Sequence, residues 1–567
     1  LARRYELPLV ATNDVRFATP DRALLCDALA CVRGGTTLEQ AGAALLPNSE
    51  RALKTPAQMA ALFGDVPEAT ETTVRLAERC TFTLAALRYR FPTYPLPPGE
   101  TEGDFLAALV QDAAPARFRL CHETLMDAAF ARRVREQLDR ELSLIRRLGL
   151  AGYFLIVWDI IQFCRSRGIL VQGRGSAANS AVCFVLGISA VDPLRHELLF
   201  ERFLSEERGE WPDIDLDLPS GRGREEVIQY VYRKYGAAAC GMTASVITYQ
   251  VRSAVRDFGK VLGLPPEALA SISAALPRFG APVPPAADAA QGGEAAREDD
   301  DALAGALRAA GLRPDDPRMA QLLRLCREAQ GVPRHLSQHP GGMIIAAGRL
   351  DEVVPLQPAA MAGRVLIQWD KDDCADLGLI KIDLLGLGMM AALEEALTLV
   401  PRHDGVPLDL AALPADDPAV YALLRQADTV GVFQVESRAQ MAVLPRVKPR
   451  CFYDLVVQVG LIRPGPVTGH LVHPYLRRRC GEEPVRYAHP ALEPVLRRTL
   501  GVPLFQEQIM RVAMIAAGFS GGQAELLRRA MGRRGDARMA ALLQALQDGL
   551  AKNNIVGSAA QEIVHSI

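Results

Sequence analysis

The chain lacks a Cys-x-x-Cys pair: its 11 cysteines are scattered from Cys26 to Cys480. That spacing excludes a zinc ribbon and a disulfide framework, and it predicts reduced thiols in a cytosolic protein. There is no run of about 18 apolar residues and no signal-peptide pattern, so the sequence predicts neither membrane insertion nor export, and a cytoplasmic location. Neither charge sign is in excess, since 64 Lys and Arg against 66 Asp and Glu leave −2. A nucleic-acid partner would therefore have to be held by local basic patches, and composition neither supports nor excludes one. No Lys-Ser or Lys-Thr at Walker spacing follows the glycines at 173 and 175, and no third glycine completes a dinucleotide fingerprint. A P-loop and a Rossmann site are thereby excluded.

What is present is an ordinary globular composition, 49% hydrophobic and 23% charged, over 567 residues. That is too long for one core and at roughly 100–200 residues per domain predicts several domains. The chain begins at Leu1 and ends at His565-Ser566-Ile567 inside a helical pattern, so a fragment of something longer is expected.

The most informative stretch is Trp211-Pro212-Asp213-Ile214-Asp215-Leu216-Asp217-Leu218. Acid and aliphatic residues alternate at the strand period, which puts Asp213, Asp215 and Asp217 on one face and Ile214, Leu216 and Leu218 on the other. Carboxylates so close repel unless something positive neutralises them, and an all-oxygen cluster suits Mg²⁺ or Mn²⁺. The alternative is an exposed strand edge decorated with acids. Upstream, Gly168 to Val171 reads as a short strand leading through Gly173-Arg174-Gly175-Ser176 into an Ala/Val-rich helix. Glycines would let the backbone approach a ligand, Ser176 would cap the helix, and its free amides would favour a phosphate. Downstream, Lys381 and Asp383 alternate with Ile380, Ile382 and Leu384, so both charges emerge on one face of an otherwise buried strand, as a salt bridge or as part of a site. A phosphate-gripping turn followed by an Asp-x-Asp strand is the layout a nucleotidyl transferase needs.

In chain order, residues 7–12 predict a buried strand and Asn13-Asp14 a turn, the alternative being Asp14 as one ligand of a metal cluster whose other ligands would lie upstream. The segment 20–80 predicts helices, Pro92 to Gly99 a proline-rich connector and domain boundary, and 124–150 a long helix. Residues 152–161 should be buried all round, and Val227, Ile228 and Val231 of a helix at 224–235 should face inward. Ala281 to Ala302, with Glu298-Asp299-Asp300-Asp301, predicts a flexible loop. His335 and His339 precede Pro340-Gly341-Gly342, which argues against a shared helical face and against zinc. Arg477-Arg478-Arg479 reads as a solvated basic face.

Gly173-Arg174-Gly175-Ser176, Leu199-Phe200-Glu201-Arg202-Phe203-Leu204 and Pro212 to Asp217 closely resemble the palm of the bacterial replicative DNA polymerase III α subunit, the C-family polymerases. Leu218 to Gly221, Gln368 to Asp376 and Gly501 to Gln508 are more similar to the error-prone branch. The resemblance runs over essentially the whole chain. It implies a multidomain α/β (α+β) protein: the C-terminal remnant of a PHP domain at 1–84, a nucleotidyltransferase-like, polymerase-β-like palm at 85–248 and 339–388, a helical thumb at 249–338 and truncated helical fingers at 389–567.

It further implies a template-directed DNA polymerase of translesion synthesis in the DNA-damage response. Asp213, Asp215 and Asp383 would be the catalytic triad for two Mg²⁺ (or Mn²⁺) ions about 3.5–4 Å apart, with Asp217 outside it. Arg174, Gly175, Ser176 and Lys381 would bind nucleotide phosphates, as would Arg528 and Arg529 of the fingers, whose further motifs are Phe433 to Arg438, Ile462 to Pro466 and Leu526 to Arg534. Partners would be primer–template DNA and dNTPs, with a sliding clamp and translesion accessory proteins engaged through regions beyond this chain. Residues 1–84 keep only Asp14 of any phosphoesterase cluster, so no nuclease or pyrophosphatase activity is expected there. Two alternatives stand: a chain that binds primer–template without catalysis, and a replicative rather than error-prone α subunit.

Overall fold

The computed structural model describes residues 2–84, 87, 89–121, 128–204, 211–276, 294–405, 410, 413, 416–462, 469–531 and 538–566. It divides into two compact units, Leu1–Arg88 with Ala244–Gln338, and Tyr89–Thr243 with His339–Ile567.

A mixed sheet of seven strands runs in the order β1-β2-β7-β4-β3-β6-β5. These are β1 (Gln172–Arg174), β2 (Ile214–Pro219), β3 (Cys240–Thr248), β4 (Pro333–Ile345), β5 (Leu356–Pro358), β6 (Val365–Ile367) and β7 (Lys381–Leu387). The alternation at 213–218 works as predicted, since Ile214, Leu216 and Leu218 are fully buried. Burying each is worth roughly 1.5–3 kcal/mol. A one-residue slip would expose all of them and bury the acids, so the register is fixed. Val227, Ile228 and Val231 of the helix Arg222–Tyr235 are fully buried, and that helix packs on β2 and β7. The helix Ala151–Ser166 is buried nearly all round as expected, and the Ile214 N–H donates to the Tyr153 hydroxyl at 3.0 Å.

The strand expected at Gly168–Val171 does not form; β1 starts at Gln172. The chain there closes the preceding helix instead, with Gly168 at φ 66° and the Ile169 N–H bonded to the Cys164 carbonyl. Tyr89 to Tyr94, leading into the proline-rich connector, is docked on this unit. The Tyr89 hydroxyl donates to the Ile345 carbonyl at 2.6 Å, and Phe91 and Tyr94 pack edge-on against Tyr153 and Trp158. The compact units change just ahead of this segment, at Arg88/Tyr89. Beyond Gly388 the described chain is helical, with one core drawn from Leu492 to Ile563 and another from Val447 to Val502. Of the predicted solvated face at 477–479, Arg477 is exposed, whereas Arg478 and Arg479 are partly buried. Arg477 and Arg478 pair with Glu483, and Arg479 pairs with Asp454.

In the first unit the helices Ala23–Gly34, Val251–Val261, Pro266–Ala275, Glu294–Ala309 and Pro317–Ala329 share one apolar core. Glu298 to Asp301 lie in a helix, not in the expected loop. Leu303, Ala306 and Leu307 are buried at helical spacing, and they anchor a helix that runs back through the acids. Residues 277–293 lie outside the described residues. Residues 7–12 form no strand, and Leu7, Leu9 and Val10 are exposed. Pro8 has no N–H to give a ladder. Asp14 takes φ 43° and pairs with Arg16 and Arg51.

Candidate metal centre

Asp215 and Asp383 are brought together by strand register. β2 and β7 run parallel with Asp215 opposite Asp383. On either side Arg174 of β1 stands opposite Asp215, and Gly342 of β4 opposite Asp383. Asp213 precedes β2 on the same face, and carboxylate oxygens of Asp213, Asp215 and Asp383 lie within 4.8 Å of one another. The Lys381 ammonium bridges two of them, at 3.1 Å from Asp213 and 2.5 Å from Asp383. The salt-bridge reading of Lys381 and Asp383 is thus borne out, beside the group of three acids.

The electrostatics fit a cation. Burial, reinforced by the charges of Asp213 and Asp383, pushes the Asp215 carboxyl up to about 7. Asp383 is buried, and among the described residues its Oδ1 has no hydrogen-bond partner. An orphaned buried carboxylate oxygen is costly unless a cation or water completes it. His339 approaches that oxygen with Nδ1 at 3.8 Å, but the same nitrogen accepts the Gly341 and Gly342 amide protons at 3.2 and 2.7 Å. Its lone pair is spent on the turn, so Nδ1 neither ion-pairs with Asp383 nor ligates a metal. Burial would lower the Lys381 pKa, but Asp213 and Asp383 outweigh it and raise it, keeping the ammonium charged. Gly342 is required by crowding: a Cβ there would meet Thr243 Oγ1, His339 Nδ1 and Lys381 Cδ at 2.8–3.0 Å.

Asp217 shares the face but not the cluster. Arg174 Nε binds both of its carboxylate oxygens, at 3.0 and 2.9 Å, and an outer nitrogen of the same guanidinium lies 3.6 Å from Asp215. A neutralised carboxylate has little left to offer a metal, which separates Asp217 from its neighbours physically.

The glycine-serine turn is built differently from expectation. A Cβ on Gly173 would lie 2.4 Å from the Ile188 carbonyl oxygen, so this glycine admits the protein's own backbone rather than a ligand. Gly173→Ala should lower stability by about 1–3 kcal/mol, read by denaturant unfolding; an unchanged midpoint would refute the contact. Gly175 is left-handed at φ 74° and faces Asp215. Ser180, not Ser176, caps the helix Ala181–Val185 by accepting from the Cys183 N–H. The first amides of that helix are taken by the Glu141 carboxylate, so they are not the free anion site the sequence suggested. Ser176 lies in the 3₁₀ turn Gly175–Asn179, and among the described residues its hydroxyl and N–H carry no partner.

Arg528 is held by Glu525 at 2.7 Å and by Gln506. Arg528 and Arg529 share the helix Gly521–Met531, which packs on the turn Phe200–Arg202, itself against the Gly175–Asn179 turn. Residues 463–468 and 532–537, with the motif arginines at 463, 533 and 534, lie outside the described residues.

Sequence reasoning missed Glu141, took Tyr153 only as core, and weighed His339 only as a zinc ligand. Glu141 left a signal: it sits on the buried stripe Val134, Leu138, Glu141, Ile145 of the helix Ala128–Arg147.

The sheet gathers Asp213, Asp215 and Asp383 into a group that could hold a divalent metal ion, as an enzyme's metal centre would. Residues 104–386 match the bacterial DNA polymerase III alpha NTPase domain, and 389–554 the bacterial DNA polymerase III alpha subunit finger domain. The chain is 45% identical to an error-prone DNA polymerase of Anaeromyxobacter sp. (strain K), across 99% of this chain and 55% of that protein. To that of Methylococcus capsulatus it is 49% identical, across 94% and 48%. To error-prone DNA polymerase 2 of Agrobacterium fabrum it is 46% identical, across 94% and 46%. The chain belongs to the bacterial DNA polymerase III α-subunit family, in its error-prone branch. It spans about half the length of the curated relatives it matches. Among the described residues no helix is long and apolar enough to cross a membrane.

Proposed function

We propose that this chain carries the catalytic centre of a template-directed, error-prone DNA polymerase that extends a primer 3′ end with dNTPs. The observation that carries the reading is the register pair Asp215 and Asp383 with the unpartnered Asp383 Oδ1 between them and His339. Asp213, Asp215 and Asp383 would hold Mg²⁺ or Mn²⁺. Two such ions supply the Lewis acidity that activates a primer hydroxyl and the charge that neutralises departing pyrophosphate.

The chain's own residues do the rest. Lys381, which spans Asp213 and Asp383, keeps a positive charge beside the site of phosphoryl transfer. Arg174 withholds Asp217 from the cluster and adds its charge at Asp215. The left-handed Gly175 and the open Ser176 amide and hydroxyl suit the β- and γ-phosphates. Arg528 and Arg529 would reach the triphosphate from the fingers, Arg528 by exchanging Glu525. Template sequence is copied by base pairing, so the protein needs only backbone contacts and shape.

On this reading residues 85–248 and 339–388 are a polymerase-β-like palm, 249–338 the thumb, 389–567 the fingers and 1–84 a PHP remnant without phosphoesterase activity. A cytoplasmic location, and a sliding clamp and translesion factors bound through regions beyond this chain, belong to the same proposal.

Primer extension with dNTPs and Mg²⁺ tests it. Extension should need the divalent ion, and Asp213→Ala, at the more exposed rim of the cluster, should slow it about 10²-fold. Extension indifferent to Asp213→Ala would sink the site assignment. Primer–template binding with no extension by the unsubstituted chain would favour the non-catalytic alternative.

A further inference from the structure

We propose that Glu141 is a positioning residue for the nucleotide site, a buried carboxyl group that holds the Gly175-Ser176 turn in place; this rests on the polymerase reading above. Glu141 is fully buried, with no Lys or Arg among its hydrogen-bond partners. Its carboxylate is instead satisfied by four donors. Oε1 accepts from the Gln137 side-chain amide at 2.7 Å and the Ala181 N–H at 2.9 Å. Oε2 accepts from the Ser180 hydroxyl at 2.7 Å and the Val182 N–H at 3.1 Å.

A helix of five residues, Ala181–Val185, cannot hold itself in one place. Ser180 already caps it locally, so a second cap from a helix some forty residues upstream does something a local cap cannot. It fixes where the helix start lies relative to the helix Ala128–Arg147. The link continues to the site. The residue before Ser180, Asn179, is buried and donates from Nδ2 to the Ser176 carbonyl at 3.0 Å. Arg117 secures the far end by donating to the Phe184 and Ser189 carbonyls. Ser176 is thus placed through Asn179 and Ser180 by one remote carboxylate.

In Glu141→Gln an amide nitrogen replaces one acceptor oxygen. Gln137 and the Ser180 hydroxyl can reorient, but a backbone N–H at Ala181 or Val182 is left facing a donor. The turn should loosen without any change at the carboxylates. The experiment is primer extension by the full chain over a range of dNTP concentrations, with primer–template affinity and thermal midpoint measured beside it. Glu141→Gln should raise the dNTP KM about tenfold, with kcat within about threefold and DNA affinity unchanged. Gln137→Leu removes the donor on the side away from the turn. It should leave KM within about twofold even where it lowers the thermal midpoint, which a merely structural role for Glu141 would not predict.

Should Glu141→Gln fail to fold, Ser180→Ala carries the test, with KM expected to rise about threefold. KM unchanged in folded Glu141→Gln, or in Ser180→Ala, overturns the positioning role while leaving the polymerase reading intact. A parent chain that incorporates no nucleotide overturns the polymerase reading, and this role with it.

Discussion

Asp383→Asn should slow primer extension by about 10³-fold or more, while Asp217→Asn, on the same face of the same sheet, should stay within about tenfold of the parent chain. Both residues are buried acids on adjacent strands. They differ in what already neutralises them. Asp217 is bound through both oxygens by Arg174, so its charge is spent inside the protein. Asp383 shares Lys381 with Asp213 and keeps an oxygen with no hydrogen-bond partner among the described residues. Removing its charge takes away the most buried of the clustered ligands, and an amide cannot replace the lost anion toward a divalent ion. Single-turnover extension at saturating dNTP, with primer–template affinity as a control, separates the two variants. Equal losses in Asp217→Asn and Asp383→Asn would show that the arginine does not set Asp217 apart.

In the absence of divalent metal, the parent chain should lose stability as pH rises from about 5 to 7.5, and Asp215→Asn should largely remove that slope. The native Asp215 carboxyl titrates at about 7, raised first by burial and then by Asp213 and Asp383, whereas an unfolded Asp titrates near 3.9. Between those values the native state holds a proton that the unfolded chain has lost. The unfolded state therefore binds fewer protons, and stability falls with rising pH until the native carboxyl is also ionised, beyond about 7.

A shift of that size caps the effect at roughly 4 kcal/mol. With a fifth of the side chain exposed, at 21%, about 1–3 kcal/mol is the reasonable range. Saturating Mg²⁺ at pH 7.5 should restore the loss, because binding releases the proton and stabilises the anion. Thermal unfolding of both chains with and without metal makes the comparison. Parallel pH slopes for the parent and Asp215→Asn would refute it.

The sequence alone determined much of the local structure. Alternation at 213–218 and at 380–384 set which residues form the core and which face carries charge, because a strand has only two faces. The apolar run at 152–161 could only be interior, and the ordered motifs were specific enough to identify the family. Glu141, an acid on an otherwise apolar helical stripe, carried a signal that the sequence reading passed over.

Only the tertiary structure decided how those pieces combine. Asp215 meets Asp383 through the register of two parallel strands far apart in the chain, and no local pattern encodes that pairing. Asp213, Asp215 and Asp217 are equal by period. They are told apart by an arginine on the antiparallel neighbour and a lysine on the parallel one. The helix start behind the glycine-serine turn looked free because its amides have no partner nearby in sequence; their partner is a carboxylate from another helix. Residues 7–12 looked like a strand because hydrophobicity does not tell a strand from an exposed extended segment. The physical reason is common to all of these: period and propensity are local, whereas charge neutralisation and hydrogen-bond satisfaction depend on what the fold brings from elsewhere.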